Sequence, residues 1–219
     1  MGRLYLKYYE NADEAMFERD LVAKTEVEML YWGGDLAGFS TLLLYETEWR
    51  GRAARVAYSG DTIVHRDHWG QQALPAAWLR RAAEIYGRAP EVPFYWFLLV
   101  KGHRTYRFMP LFVLDYHPDR ASACAAPDDL GELAEKLARD KFGDDYNPRT
   151  GVIEFAHSQG NLRQEIAHPT ARELKNPAVR RFLEKNPGYL CGHELVCLCR
   201  IAPDNLRPFA RRIFERSAS

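Results

Sequence analysis

The sequence predicts an α+β fold on a mixed sheet: an antiparallel meander, then a βαβα unit, then a C-terminal α/β extension. Three observations carry that prediction. Between residues 26 and 48, apolar residues alternate on either side of a glycine turn, the pattern of a hairpin. Between 54 and 116, strand-like and helix-like runs alternate, which favours parallel pairing with a right-handed crossover. The 219 residues are 47% hydrophobic and 27% charged, so the chain is globular and long enough for a sizeable core.

Taken in order, residues 13–24, DEAMFERDLVAK, read as an amphipathic helix. Phe17, Leu21 and Lys24 share a stripe, and acids open the segment. TEVEMLYW is a strand with Val27, Met29 and Tyr31 at period two. Gly33, Gly34 and Asp35 turn the chain into LAGFSTLLLYETEW, the second strand. A turn at 50–53 with Gly51 leads to the third, RVAYSGDTIVH. Ser59-Gly60 interrupts it, and a glycine inside a strand marks a bulge or a close backbone approach. Residues 74–86 are a helix, with Pro75 in its first turn and Trp78, Ala82 and Ile85 on one face. VPFYWFLLV is an apolar strand covered on both faces, with Trp96 opposite to Tyr95 and Phe97. HRTYRFMPLFVLDY follows as a helix kinked or restarted at Pro110.

From Ala121 to Asp129 the composition turns to Ala, Ser, Pro and Asp, a linker signature. The expected division is therefore 1–120 and 121–219, the second part packed on the first as an extension or a partial second copy. Its elements are a helix at 128–142, the strand TGVIEF, the helix NPAVRRFLEKNP, the strand HELVCLCRI and a closing helix with Leu206, Phe209 and Ile213 on one stripe.

Composition also narrows the function. Thirty basic and thirty acidic residues balance, so no nucleic-acid partner is expected. No apolar run approaches the ~20 residues of a membrane span, and the N-terminus lacks a signal-peptide core. A soluble cytoplasmic protein with no membrane partner is the expectation. Cys124, Cys191, Cys197 and Cys199 read as free thiols. CGHELVCLC has ligand types but no standard zinc spacing, so no metal is expected. No Gly-x-Ser-x-Gly elbow or P-loop pattern is present, which argues against hydrolase and nucleotide-phosphatase chemistry.

The most informative stretch is SGDTIVHRDHWGQQALPAAWLRR, residues 59–81. A strand enters a short loop and a helix leaves it. Unpaired N–H groups and the helix dipole make such a turn a place for an anion. In its order this resembles the GCN5-related N-acetyltransferase superfamily, the acyl-CoA-dependent acyltransferases. The resemblance covers about Asp13 to Tyr116 and rests on Ser59–Leu74, Phe94–Val100 and the helix beginning near His103. It implies a bulged fourth strand splayed from the fifth, with acyl-CoA in the V between them. The family loop reads Arg/Gln-x-x-Gly-x-Gly/Ala. Here it reads His-Trp-Gly-Gln-Gln-Ala from His68, with Gln71 at a glycine position and Ala73 last. Started at Trp69, Gln72 and Leu74 take those positions.

The resemblance assigns roles. His68, Trp69, Gly70, Gln71, Gln72 and Ala73 would hold the pyrophosphate. The backbone of Gly60, Thr62, Ile63 and Val64 would position the thioester and its arm. Asp61 or His65 would be the general base, and Tyr106 the acid on the departing thiolate, with Tyr116 as the later alternative. Lys101, His103 and Arg104 gather at the C-terminal end of an apolar strand, where ligands collect in open α/β sheets, and they would meet a CoA phosphate, Arg104 among the CoA-binding residues, or an acidic substrate. Glu46 and Glu48 are further acids on a neighbouring strand. The function implied is transfer of an acyl group, acetyl in the first instance, from acetyl-CoA or another acyl-CoA to an amine of a small molecule or peptide. Two other functions fit the same residues: a non-catalytic ligand-binding module, and an acyltransferase fed by an acyl carrier protein. The sequence leaves open whether the chain forms a homodimer.

Overall fold

The computed structural model describes residues 1–119 and 129–217. Cys124 and the linker expected from Ala121 to 128 lie outside the described residues. The chain opens with α1 (Gly2–Tyr8), β1 (Tyr9–Glu10) and α2 (Glu14–Val22). α2 starts where Asp13 accepts the Met16 N–H at 2.7 Å, an N-cap that satisfies an orphan donor. The meander follows: β2 (Glu26–Trp32), β3 (Asp35–Trp49) and β4 (Arg52–Val64). Then come α3 (Ala73–Gly87), β5 (Phe94–Val100), α4 (His103–Tyr106) and α5 (Phe108–Phe112). The chain breaks at Arg107, so Pro110 sits in the first turn of α5, where its missing N–H costs nothing. The second part supplies α6 (Asp129–Phe142), β6 (Tyr146–Asn147), β7 (Val152–Ile153), β8 (Asn161–Leu162), α7 (Gln164–Ala167), α8 (Pro177–Lys185), β9 (Glu194–Arg200) and α9 (Pro208–Glu215).

Seven strands form one mixed sheet in the order β2-β3-β4-β5-β9-β7-β6. β4 and β5 are parallel and their neighbours antiparallel, so the α+β class expected of the sequence is the class observed. The sheet runs straight through the expected division, because β9 pairs with β5 from Tyr95↔Arg200 to Val100↔Leu195. β1 also pairs with β8, which ties the N-terminus to the second part.

Alternation along the central strands sends side chains to two layers. Trp96, Leu98, Cys197 and Cys199 face α3, α8 and α9. Phe97, Val196 and Leu198 face α6. Trp96 therefore does point opposite to Phe97, and the two thiols share a face as small buried groups. Cys191 is on the surface. A third layer packs α1 and α2 on Phe39 and Ile63.

Two expected faces differ. In β2, Met29 and Tyr31 are 50% and 56% exposed, because β2 is the outer strand and α2 covers it only near Val27. In α9 the buried residues are Ala210 and Phe214, while Phe209 is exposed. The helix begins only at Pro208, so the stripe drawn through Leu206 is out of phase.

Candidate functional site

β4 and β5 pair from Arg55↔Phe94 to Ser59↔Leu98 and then part. The sequence expected a bulge here, and there is one. On β3, Ser40 pairs with Thr62 but Leu42 with Ser59, so β4 carries one extra residue at Gly60–Asp61. β5 stays with β9 beyond that point, and the β4 edge from Gly60 to Val64 is left facing open space. A Cβ on Gly60 would lie 2.6 Å from Lys24 Cε and 2.7 Å from Thr41 Oγ1, so the bulge is packed tightly on its far side. Trp96 marks the fork, donating from Nε1 to Ser59 Oγ at 2.7 Å.

The fork opens into a cavity of about 1060 Å³, at the upper end for small-molecule sites. Its lining draws on all three clusters of the core: Tyr5, Tyr9, Phe17, Trp69 and Ile166 from that of α1 and α2, Tyr58, Phe142 and Phe155 from that of α6, and Phe108 and Ala178 from that of α3 and α8.

Of the residues singled out from sequence, Gly60, Asp61, Thr62, Ile63, Val64, His68, Trp69, Gly70, Gln71, Gln72 and Arg104 all line it. Three do not. His65 turns outward, its Nδ1 3.6 Å from Asp67 and its ring edge-on to Tyr8. The one-residue bulge and the strand's end put it off the face that holds Asp61. Ala73 is the first residue of α3, exposed beside the cavity. Tyr106 is sealed in the core, where its hydroxyl donates to Asp119 Oδ2 at 2.5 Å and its ring meets Phe182. Burial pushes its pKa far up. The single turn of α4 aims it into the core rather than at the fork. Glu46 and Glu48 are exposed strand residues. Tyr116 packs beside Tyr106.

Asp61 has no hydrogen-bond or ion-pair partner among the described residues. Burial raises its pKa to about 7. Lys101 and Lys24 pull it down, while Asp20 and Glu194 push it further up. Both lysines are already engaged. Lys24, its side chain almost wholly buried, lies 2.5 Å from Asp20. Lys101 lies 3.2 Å from Glu194 and donates to the Gln159 carbonyl at 2.9 Å. At pH 7 Asp61 is thus poised between acid and base.

The loop before α3 is closed by Trp69. Its Nε1 donates to the Val64 carbonyl at 2.9 Å, and Arg104 stacks on the ring at 4.3 Å. Gly70 follows with φ +87°, a left-handed turn that suits glycine. α3 then offers the Ala73 and Leu74 N–H groups without intrahelical acceptors; Pro75 has none. Arg104 is held by Glu173 at 2.9 Å and by the Ile166 carbonyl at 2.6 Å. Burial opposes the Glu173 charge, but bonds from Thr170 and the Arg104 and His103 contacts hold its pKa at about 2. Burial lowers the pKa of His103 beside it. Arg104 is therefore a fixed strut of the cavity wall.

Sequence reasoning missed much of one wall. Tyr5, Tyr8 and Tyr9 of the first helix and turn line the cavity, as do Asp20 and Glu194. The signal was present: Leu4, Tyr5, Tyr8 and Tyr9 fall at helical spacing in RLYLKYYEN. Among the described residues no helix is long and apolar enough to cross a membrane.

No protein-family model matches the chain, and no curated protein does. Among solved structures it is similar to a conserved protein of unknown function from Enterococcus faecalis V583, described as a probable N-acyltransferase. The TM-score is 0.37 and the identity 14%, over 49% of this chain and 26% of that one. The chain thus spans about a quarter of that protein's length, and a likeness of this size carries no argument about activity.

Proposed function

We propose that this chain is an acyl-CoA-dependent N-acyltransferase of the GCN5-related type. One observation carries the reading. Two parallel strands are joined at one end, part at a bulge, and hold an unpartnered carboxylate in the cavity between them. That is the arrangement the superfamily uses to thread a thioester through a sheet.

The residues fit an acyl-CoA. The free edge of β4 from Gly60 to Val64 presents backbone donors and acceptors, and an amide-bearing arm can pair with them as an added strand would. The loop at His68–Gln72 and the first N–H groups of α3 face where the pyrophosphate would lie. Gln71 and Gln72 add side-chain amides where the family has glycine.

Asp61 is the base. Its carboxylate takes a proton from the acceptor amine, whose nitrogen then attacks the thioester carbonyl. The C–N bond forms and the C–S bond breaks. The thiolate leaves, and the second proton, which the nitrogen sheds as it becomes an amide, passes to it through water at the cavity mouth, since Tyr106 does not reach it. No covalent acyl-enzyme is needed, because the amine attacks the thioester directly.

The test is calorimetric titration with acetyl-CoA. One site of micromolar affinity is expected. Absence of binding to any CoA ester, short or long, sinks the reading.

A further inference from the structure

The cavity loop at 69–72 is held from outside itself. Past Trp69 its bonds are local: the Gln71 N–H donates to the His68 carbonyl at 3.3 Å, and the Gln72 side chain to the Gly70 carbonyl at 3.4 Å. A Cβ on Gly70 would meet nothing within 4 Å. Upstream, the Tyr8 hydroxyl accepts the Arg66 N–H at 2.6 Å, and the Trp32 ring meets His68 at 5.3 Å. Trp69 is the anchor nearest the open part of the loop. Its indole N–H is fixed on Val64, and its ring is covered by Arg104.

Arg104 is held in turn by Glu173, in the short turn Glu173–Lys175 of the second part. The pair is bidentate: Arg104 Nε lies 2.9 Å from Glu173 Oε1, and Nη2 lies 3.1 Å from Oε2. Thr170 fixes the carboxylate, its N–H and hydroxyl donating to Oε2 at 2.8 and 2.9 Å. The other oxygen stands 3.3 Å from His103 Nε2. A second guanidinium, that of Arg66, lies 5.8 Å from the same indole ring. Glu173 therefore offsets two like charges gathered on one ring. With its carboxylate gone, Arg104 would keep the Ile166 carbonyl as its acceptor among the described residues. A half-buried guanidinium so poorly paired moves toward water, and Trp69 loses its cover.

We propose that Glu173 is a positioning residue of the 69–72 loop, acting through Arg104 and Trp69. The acyltransferase reading supplies what the loop holds, the pyrophosphate of an acyl-CoA; the chain of contacts stands without it. A residue of the second part would thus set how well the first part binds its donor. Glu173 also lines the cavity, so direct contact with the donor is the rival account.

The test labels the full chain with 5-fluorotryptophan, which gives each tryptophan a fluorine resonance. The one lost in Trp69→Leu belongs to Trp69. In Glu173→Ala and in Arg104→Met it should move toward its position in the urea-unfolded chain, while those of the buried Trp78 and Trp96 stay. Arg104→Met leaves the Thr170 and His103 contacts of Glu173 in place, so it decides the matter if Glu173→Ala does not fold. Calorimetric titration with acetyl-CoA should show about tenfold weaker binding in both variants, with little further loss when either is added to Trp69→Leu. A Trp69 resonance that stays in place overturns the proposal. So does movement of Trp78 and Trp96 in Arg104→Met, since the contact would then be part of the general packing. An unchanged affinity overturns it too, as does a loss that persists in full on Trp69→Leu, since Glu173 or Arg104 would then meet the donor directly. The two readings fail separately. If the parent chain binds no CoA ester, the acyltransferase reading falls, and the Trp69 resonance decides whether Glu173 sets the loop.

Discussion

β4 and β5 are the same two strands in two states. From Arg55 to Ser59 they are paired, buried on both faces and pinned at the ends. From Gly60 onward they part, and the space between them carries charge. The paired half is conventional. Phe97 is fully buried under Tyr58, and the Arg55 guanidinium donates to the carbonyls of Ile85, Tyr86, Ala89 and Val92. The parted half gives up ladder hydrogen bonds and leaves a half-buried carboxylate on the cavity wall without a partner among the described residues. Stability is concentrated in one half, and reactivity is available in the other because that half is left incomplete.

The comparison can be broken in several places. The largest effect belongs to the paired half. Phe97→Ala should cost about 3–5 kcal/mol in a denaturant titration, because a fully buried aromatic leaves a cavity. A loss below about 1 kcal/mol would mean that the paired half is not the stable one.

The parted half should show the opposite sign. Asp61 has a folded-state pKa raised to about 7, above its unfolded value near 4. The folded chain therefore holds more protons than the unfolded chain between those pH values. Its contribution favours folding at low pH and is lost as pH rises from about 4 to about 7, on the order of 4 kcal/mol if nothing else titrates. Asp61→Asn should remove that slope and be more stable than the parent at pH 8. Urea midpoints across this window decide it; identical slopes in parent and variant would contradict an unpartnered Asp61.

Next comes Arg55→Met, which keeps the stem but leaves four carbonyls short of a donor. A loss of about 2–3 kcal/mol is expected by thermal or chemical denaturation. The smallest effect is on the loop. Gly70 has φ +87°, which proline cannot adopt, so Gly70→Pro should weaken acetyl-CoA binding about tenfold with little change in overall stability. Unchanged affinity would remove the loop from the site.

Much of this contrast was legible in the sequence. Ser59-Gly60 inside an apolar run announced the bulge, and the β4 residues after it are those on the cavity wall. The helix after the loop and the opposed side chain of Trp96 follow from period and composition. What was not legible is long-range. Nothing local says that β9 rather than β4 partners the far half of β5. Nor does the spacing of Tyr5, Tyr8 and Tyr9 say that β1–β8 pairing brings them to a carboxylate over fifty residues away. The chain order puts Tyr106 just after the apolar strand β5, where the resemblance expects an acid. A one-turn helix end can aim a side chain at the core or at the cleft, and only packing decides between them.

The most direct measurement of the central claim is the pH profile of thiol release from acetyl-CoA with an amine acceptor. If the parted strands hold the thioester beside Asp61, kcat/KM should rise through about pH 7 and level off. Asp61→Asn should lower it by about 10²–10⁴-fold and flatten that limb. A profile with no inflection near pH 7, or one that Asp61→Asn leaves in place, would contradict the account.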